Sequence, residues 1–265
     1  MGKVIVVIPV HKEVPSAYEL ISFKQCIKIL GNHPISILAP KELNLNVYKT
    51  ICPTIIIKTT APKWFESVKA YNDFKKHISF YTLFKKYEFI LTYELDAFVF
   101  SDDLLFWCNK GYDYIGAPWF ENFALANSAS KLIGVGNSGF SLRKNSSLQW
   151  YISRFIQKST YYHSRNILLK VIGIFEYYFS HLLSKFNYNS SILKYSNEPE
   201  DFFICYRLKS KFSKLNIAPI EQAIKFSFEV NPEILFQINN ETLPFGCHAW
   251  WRYNIEFWRP YIAAV

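Results

Sequence analysis

Glu94 and Asp96 are the residues whose type and spacing point most directly to chemistry. They lie in FILTYELDAFVF, residues 89–100, where an apolar run gives way to two carboxylates and then resumes. Side chains alternate along an extended segment, so residues two apart leave the backbone on the same side. A buried charge needs a partner. A divalent cation carrying a phosphorylated ligand is such a partner. A strand that merely runs into an acidic surface turn has the same pattern, with its carboxylates solvated.

Three other runs carry weaker signals. In GNSGFSLR, residues 136–143, Gly136 and Gly139 flank Asn137 and Ser138. Glycine allows close approach of a backbone to a ligand, and Asn137 can donate to and accept from sugar hydroxyls. An ordinary glycine turn looks the same. In NEPEDFFICYRL, residues 197–208, Pro199 suits the first turn of a helix, and Glu200 and Asp201 suit its dipole. The other reading is that one of the pair takes a proton from a hydroxyl nucleophile. His248, in PFGCHAW, is a lone histidine. It gains chemical meaning only by completing a cluster with Glu94 and Asp96. His11 follows the first strand pattern and can face the same crevice.

These residues need elements to hold them. VIVVIPV, residues 4–10, reads as a strand buried on both faces. Residues 17–30 have helical spacing and end at Gly31-Asn32. ISILA and TIIIK are short strands, residues 64–86 read as helical, and EFILTY is the next strand. Strands alternating with helices imply a mainly parallel sheet with helices on both faces. Ligands of such sheets bind beyond the carboxyl ends of the strands. Pro9 to Glu13 and Glu94 to Asp96 both lie at such ends. Farther on, SDDLLFWC reads as a short helix opened by Ser101, GYDYIGAPWF as a strand and a Pro-aromatic turn, and residues 145–160 as helical. NILLKVIGIFEYYFSHLL, residues 166–183, puts Asn166, Lys170, Gly173, Glu176 and Ser180 on one narrow helical stripe and leaves the rest apolar. Such a helix is a core helix, a subunit contact or a membrane-surface helix.

Composition sets the bounds. A chain of 265 residues, half of them hydrophobic and 18% aromatic, can bury a large core in one domain. Five scattered cysteines without a C-x-x-C pair favour reduced thiols in a cytosolic protein over a disulfide frame or zinc site. MGKVIVVIPV runs straight into a strand pattern and lacks the features of a signal peptide. No uncharged apolar run reaches the length of a transmembrane helix. Residues 143–194 hold Arg143, Lys144, Arg154, Lys158, Arg165, Lys170, Lys185 and Lys194 against Glu176 alone, which is +7 of the net +9. The excess suits an acidic partner or a solvated helical face. No nucleic-acid motif accompanies it, and no nucleic-acid partner is expected.

The ordered runs VIVVIPV, YELDAFVF, GYDYIGAPWF, GNSGFSLR, EDFF and PFGCHAW resemble a GT-A-fold glycosyltransferase. More narrowly, the chain resembles a family of bacterial glycosyltransferase-like proteins catalogued as a domain of unknown function. The resemblance implies an α/β, Rossmann-type, mainly parallel sheet flanked by helices. It covers residues 1–265 as a single domain with a basic-aromatic helical insertion at about 150–195. Asp96 stands at the last aspartate of the Asp-x-Asp metal motif, and Glu94 replaces the first. His248 stands where some members have a late metal-ligating histidine. Pro9, Val10, His11 and Glu13 match the strand end that cradles the nucleobase. Asn137, Ser138, Gly139 and Trp119 match the substrate wall. Glu200 and Asp201 match the acidic pair that supplies the base in inverting members.

The expected function follows from the resemblance. It is transfer of a sugar from a nucleotide-sugar donor to a glycan or lipid-linked acceptor, with Mn²⁺ or Mg²⁺, in bacterial surface polysaccharide synthesis. The expected location is the cytoplasm, with peripheral contact at the inner face of the membrane. The competing expectation is a non-catalytic carbohydrate- or lipid-binding protein on a transferase scaffold.

Overall fold

A computed structural model describes residues 1–186 and 191–262. Backbone contacts divide the chain into two units, Met1–Pro62 with Lys86–Lys144 and Asn216–Val265, and Lys63–Lys85 with Asn145–Leu215.

The first unit is built on a six-stranded sheet. Its strands are β1 (Gly2–Pro9), β2 (Ile35–Pro40), β3 (Ile56–Thr60), β4 (Tyr87–Tyr93), β6 (Tyr114–Ile115) and β9 (Phe140–Lys144), with β5 (Phe98–Val99), β7 (Pro118–Phe120) and β8 (Leu132–Val135) falling between them in sequence. The order is β3-β2-β1-β4-β9-β6. Strands β3, β2, β1 and β4 are parallel, while β9 runs antiparallel to β4 and to β6. This is the mainly parallel sheet that the alternating pattern predicts. Val4, Ile5, Val6, Val7 and Ile8 of β1 are all buried, so both faces of the central strand are covered. Each such side chain contributes about 1.5–3 kcal/mol by leaving water.

Helix Ala17–Leu30 follows β1. Ser16 and Glu19 cap it reciprocally, Glu19 N–H donating to Ser16 Oγ and Ser16 N–H to Glu19 Oε2. Its Phe23, Cys26 and Leu30 pack with Val4, Val6 and Leu91 in one core. Gly31 ends the helix in a right-handed rather than left-handed conformation. A Cβ there would lie 2.4 Å from the Ile27 carbonyl oxygen, so close approach is the reason for glycine.

A second, three-stranded sheet matters more for the site. It joins β10 (Ser227–Phe228), β11 (Gly246–Cys247) and β5 in the order β10-β11-β5. Strands β10 and β11 are parallel, and β11 and β5 antiparallel. Proline-containing Pro118–Phe120 is strand β7, paired with β8, where the sequence suggests only a turn. All five cysteines are free thiols.

The second unit is helical. Residues 64–86 do not make one helix. A short 3-10 turn is followed by Val68–Lys75 and Ile78–Leu83, split where His77 adopts extended backbone and caps the second helix through Ser79 N–H. The unit also holds Asn145–Arg154, Ile167–Ser184, Ser191–Tyr195 and Glu200–Phe202, the last running into a π-helical turn over Phe203–Leu208. Lys75 and Glu200 form a buried ion pair at 3.5 Å. Within the 150–195 segment, residues 187–190 lie outside the described residues.

Candidate metal centre

Strand order brings the candidate residues to one place. The chain moves from β1 outward to β2 and β3, then returns to lay β4 on the other side of β1. The order therefore reverses between β1 and β4, the place beyond whose carboxyl ends ligands of such sheets bind. Pro9 ends β1 half-buried, and Val10 is buried with its N–H on the Leu38 carbonyl. His11 and Glu13 beyond it are exposed at that end. Glu94 follows the last residue of the neighbouring β4, and its N–H donates to the Gly139 carbonyl.

The three-stranded sheet completes the cluster. Phe228 pairs with Cys247 in the parallel β10–β11 register, so Glu229 and His248 emerge side by side. Cys247 also pairs with Phe98 across β11–β5, which sets His248 beside the chain at Asp96 and Ala97. Glu94, Asp96 and His248 thereby offer three ligand atoms, all within 4.8 Å of one another. His248 Nε2 lies 3.0 Å from Asp96 Oδ1 and 3.7 Å from Glu94 Oε2. The Nε2 thus faces both carboxylates.

The other face of the ring is held. His248 Nδ1 lies 3.1 Å from Glu229 Oε1. The residue after it, Ala249, sits at φ 50°, a left-handed conformation that costs a non-glycine residue about 1–3 kcal/mol. Ser22 braces both flanks: its carbonyl accepts the Tyr93 hydroxyl at 3.0 Å, and its Oγ accepts Trp250 Nε1–H at 3.0 Å. Burial alone would lower the His248 pKa. The charges of Asp96 and Glu229 outweigh burial and hold it well above the ordinary histidine value.

This arrangement fits a divalent ion. Two carboxylates and one imidazole converge, with one ring nitrogen facing both carboxylates. Its opposite nitrogen meets a carboxylate, the arrangement that orients metal-ligating histidines. Gly139 clears the space, since a Cβ there would lie 1.9 Å from His248 Nε2.

The remaining predicted residues distribute as follows. Asn137, Ser138 and Gly139 form the turn from β8 into β9, with Asn137 left-handed at φ 60°. The Ser138 carbonyl accepts from Ser141 Oγ at 2.9 Å. Trp119 lies in β7 over Gly136, where a Cβ would meet the indole at 1.7 Å. Glu200 and Asp201 belong to the helical unit. Glu200 is fully buried against Lys75, while Asp201 is half-exposed and its Oδ1 accepts from Phe202 N–H. Two residues at the centre escape the sequence reading. Glu229 is one, standing just after the two-residue strand β10. Arg252 is the other; its Nη2 lies 3.6 Å from Asp96 Oδ2 with no pattern to announce it.

A solved glycosyltransferase shares this fold. The glycosyltransferase GlyE of Streptococcus pneumoniae TIGR4 superposes with a TM-score of 0.50 at 13% identity, over 99% of this chain and 61% of that one. Mouse xyloside xylosyltransferase 1 gives a TM-score of 0.48 at 11% identity, over 93% and 97%. The S. cerevisiae mannosyltransferase Ktr4p gives 0.34 at 17% identity, over 44% and 39%. This chain thus spans less than two thirds of the length of GlyE and of Ktr4p. No curated protein matches. The likeness to GlyE makes the fold GT-A-like. The segments that build the centre, from the ELDA turn through β9 and β10 to His248, all lie within residues 54–248, which match the family described as "Protein of unknown function (DUF5672)", and the chain belongs to that family.

Proposed function

We propose that the protein is a metal-dependent glycosyltransferase that moves a sugar from a nucleotide-sugar donor to the hydroxyl of a glycan or lipid-linked acceptor. The observation that carries this reading is the convergence of Glu94, Asp96 and His248 at the strand-order reversal of a GT-A-like sheet.

Asp96 and His248 would hold the ion, with Glu94 as third ligand or as partner of an ion-bound water. A bound divalent ion supplies positive charge to the departing diphosphate. Arg252, exposed beside Asp96, adds a cation on the same side. Pro9, Val10, His11 and Glu13 would receive the nucleotide at the end of β1. The Asn137–Gly139 turn and Trp119 would bound the sugar. Asp201 is the proposed base that takes the acceptor proton in an inverting reaction, and Glu200 positions its helix through Lys75. Bacterial surface polysaccharide is the proposed product class, and the cytoplasm the proposed compartment.

The test is thermal stabilisation by UDP, GDP and CDP, with and without Mn²⁺, followed by a nucleotide-sugar hydrolysis panel. Metal-dependent stabilisation by one nucleotide supports the reading. One observation favours a second reading, a non-catalytic carbohydrate- or lipid-binding protein: a protonated His248 can hold Asp96 and Glu229 without any ion. That reading predicts no Mn²⁺-dependent stabilisation with any nucleotide.

A further inference from the structure

Helix Ile167–Ser184 is turned inside out. Its inward stripe is small and polar. Gly173 is buried, and a Cβ on it would lie 2.3 Å from the Tyr162 backbone nitrogen. Glu176 is tied to Lys194 at 2.6 Å, and the buried Ser184 donates to the His181 carbonyl. Its outward face is apolar. Leu168, Val171, Ile172, Phe175, Phe179 and Leu182 are each 48–72% exposed. At 100° per residue they fall within an arc of about 100°. A soluble helix normally buries such an arc, and an exposed apolar patch of this kind marks a binding surface.

The charge around the helix selects the occupant. Between Lys144 and Asn197 the only carboxylate is Glu176, already paired with Lys194. Lys158, Arg165, Lys170 and Lys185 are exposed around it. A second copy packed by a twofold axis would oppose this basic segment to itself, and like charges across an interface oppose association. An anionic bilayer supplies apolar depth and negative charge together. By length and composition the helix could cross a membrane. Its packed Gly173 and paired Glu176 instead hold one side against its own unit, so it would lie along the surface.

We infer that Ile167–Ser184 is an interfacial helix that docks this protein on anionic lipid, seating Leu168, Val171, Phe175 and Phe179 among the acyl chains under a collar of lysine and arginine. The inference uses the helical unit alone and does not depend on the metal-centre reading.

The experiment is co-sedimentation with phosphatidylcholine vesicles, with and without phosphatidylglycerol, at low and high salt. It compares the native chain, Phe175→Asp/Phe179→Asp and Lys170→Glu/Lys185→Glu. Both phenylalanines are more than half exposed, so the fold should survive, checked by circular dichroism. The native chain should bind the anionic vesicles and lose binding in high salt. The phenylalanine pair should weaken binding at least tenfold. The charge reversal should weaken it more than fivefold, since each basic residue near such a surface adds about fivefold in affinity. Equal binding by the phenylalanine variant overturns the inference. So does a native chain that ignores anionic vesicles, whether it stays monomeric or self-associates through this face in sedimentation velocity.

Discussion

His248 Nδ1 lies 3.1 Å from Glu229 Oε1, and both side chains are nearly buried. The contact joins the ends of two parallel strands and turns the opposite nitrogen of the ring toward Asp96 and Glu94. Glu229 therefore acts on the centre without facing it. Replacing it should leave a ring free to rotate and less basic. We expect Glu229→Gln to weaken Mn²⁺ affinity about 10- to 100-fold, the usual effect of removing such a partner. Titration calorimetry with Mn²⁺ checks this. An unchanged affinity in a folded variant would show that the contact is only structural.

Gly139 gives a test that touches no ligand. Its φ is not in the left-handed region, so alanine is compatible with its backbone. The added methyl, however, would lie 1.9 Å from His248 Nε2 and 2.2 Å from Cδ2. The ring must move. Gly139→Ala should lose Mn²⁺-dependent nucleotide stabilisation while keeping its circular dichroism spectrum.

Asp96→Asn keeps the side-chain shape and removes the charge. Metal-assisted nucleotide binding should disappear, whereas Glu94→Gln, lying farther from His248, should be milder. Unchanged Mn²⁺-assisted binding in folded Asp96→Asn would remove Asp96 from the proposed ligands.

Particular residues show what the sequence makes legible. Glu94 and Asp96 can be read because a run of buried β4 residues announces the strand end at which they stand. His248 can be suspected but not placed, since Glu94 and Asp96 reach it through a pairing of strands far apart in the chain. Glu229 follows a strand of only two residues, too short for any alternation to show. The 64–86 region has continuous helical composition, and only the backbone at His77 reveals the break. In Ile167–Ser184 periodicity identifies the polar stripe but not which side faces outward. Core packing is the ordinary expectation for so apolar a segment, and the tight seat of Gly173 reverses it.

Glu19 links stability to pH. Burial would raise its pKa, but hydrogen bonds from Ser16 and Lys12 outweigh burial and hold it below the ordinary carboxylate value of 4.5. The unfolded chain therefore takes up the proton first as pH falls. The stabilisation is complete above the unfolded pKa and is lost as pH drops through the depressed folded value. Glu19→Gln keeps an acceptor for the Ser16 N–H but removes the charge, so at neutral pH it should cost less than the ~1 kcal/mol of losing a cap outright. Chemical denaturation should show that difference shrinking toward zero in acid.

Glu200 and Asp201 are neighbours with opposite surroundings, and substitution should separate them. Glu200 is fully buried, faces Lys75 at 3.5 Å and has its N–H on Asn72 Oδ1. Neutralising it breaks a buried ion pair, which typically costs about 3–5 kcal/mol. Glu200→Gln should therefore show a marked loss of melting temperature. Asp201 is half-exposed. Its Oδ1 accepts a hydrogen bond from the adjacent Phe202 N–H. Asp201→Asn preserves an oxygen acceptor at that position, so its melting temperature should stay near the native value. If Asp201 is the base, turnover should fall roughly 10²- to 10⁴-fold with nucleotide affinity intact. Turnover, donor binding and melting temperature measured on both variants decide the matter. Near-native turnover in Asp201→Asn would reduce this acidic pair to a helix start and its buried anchor.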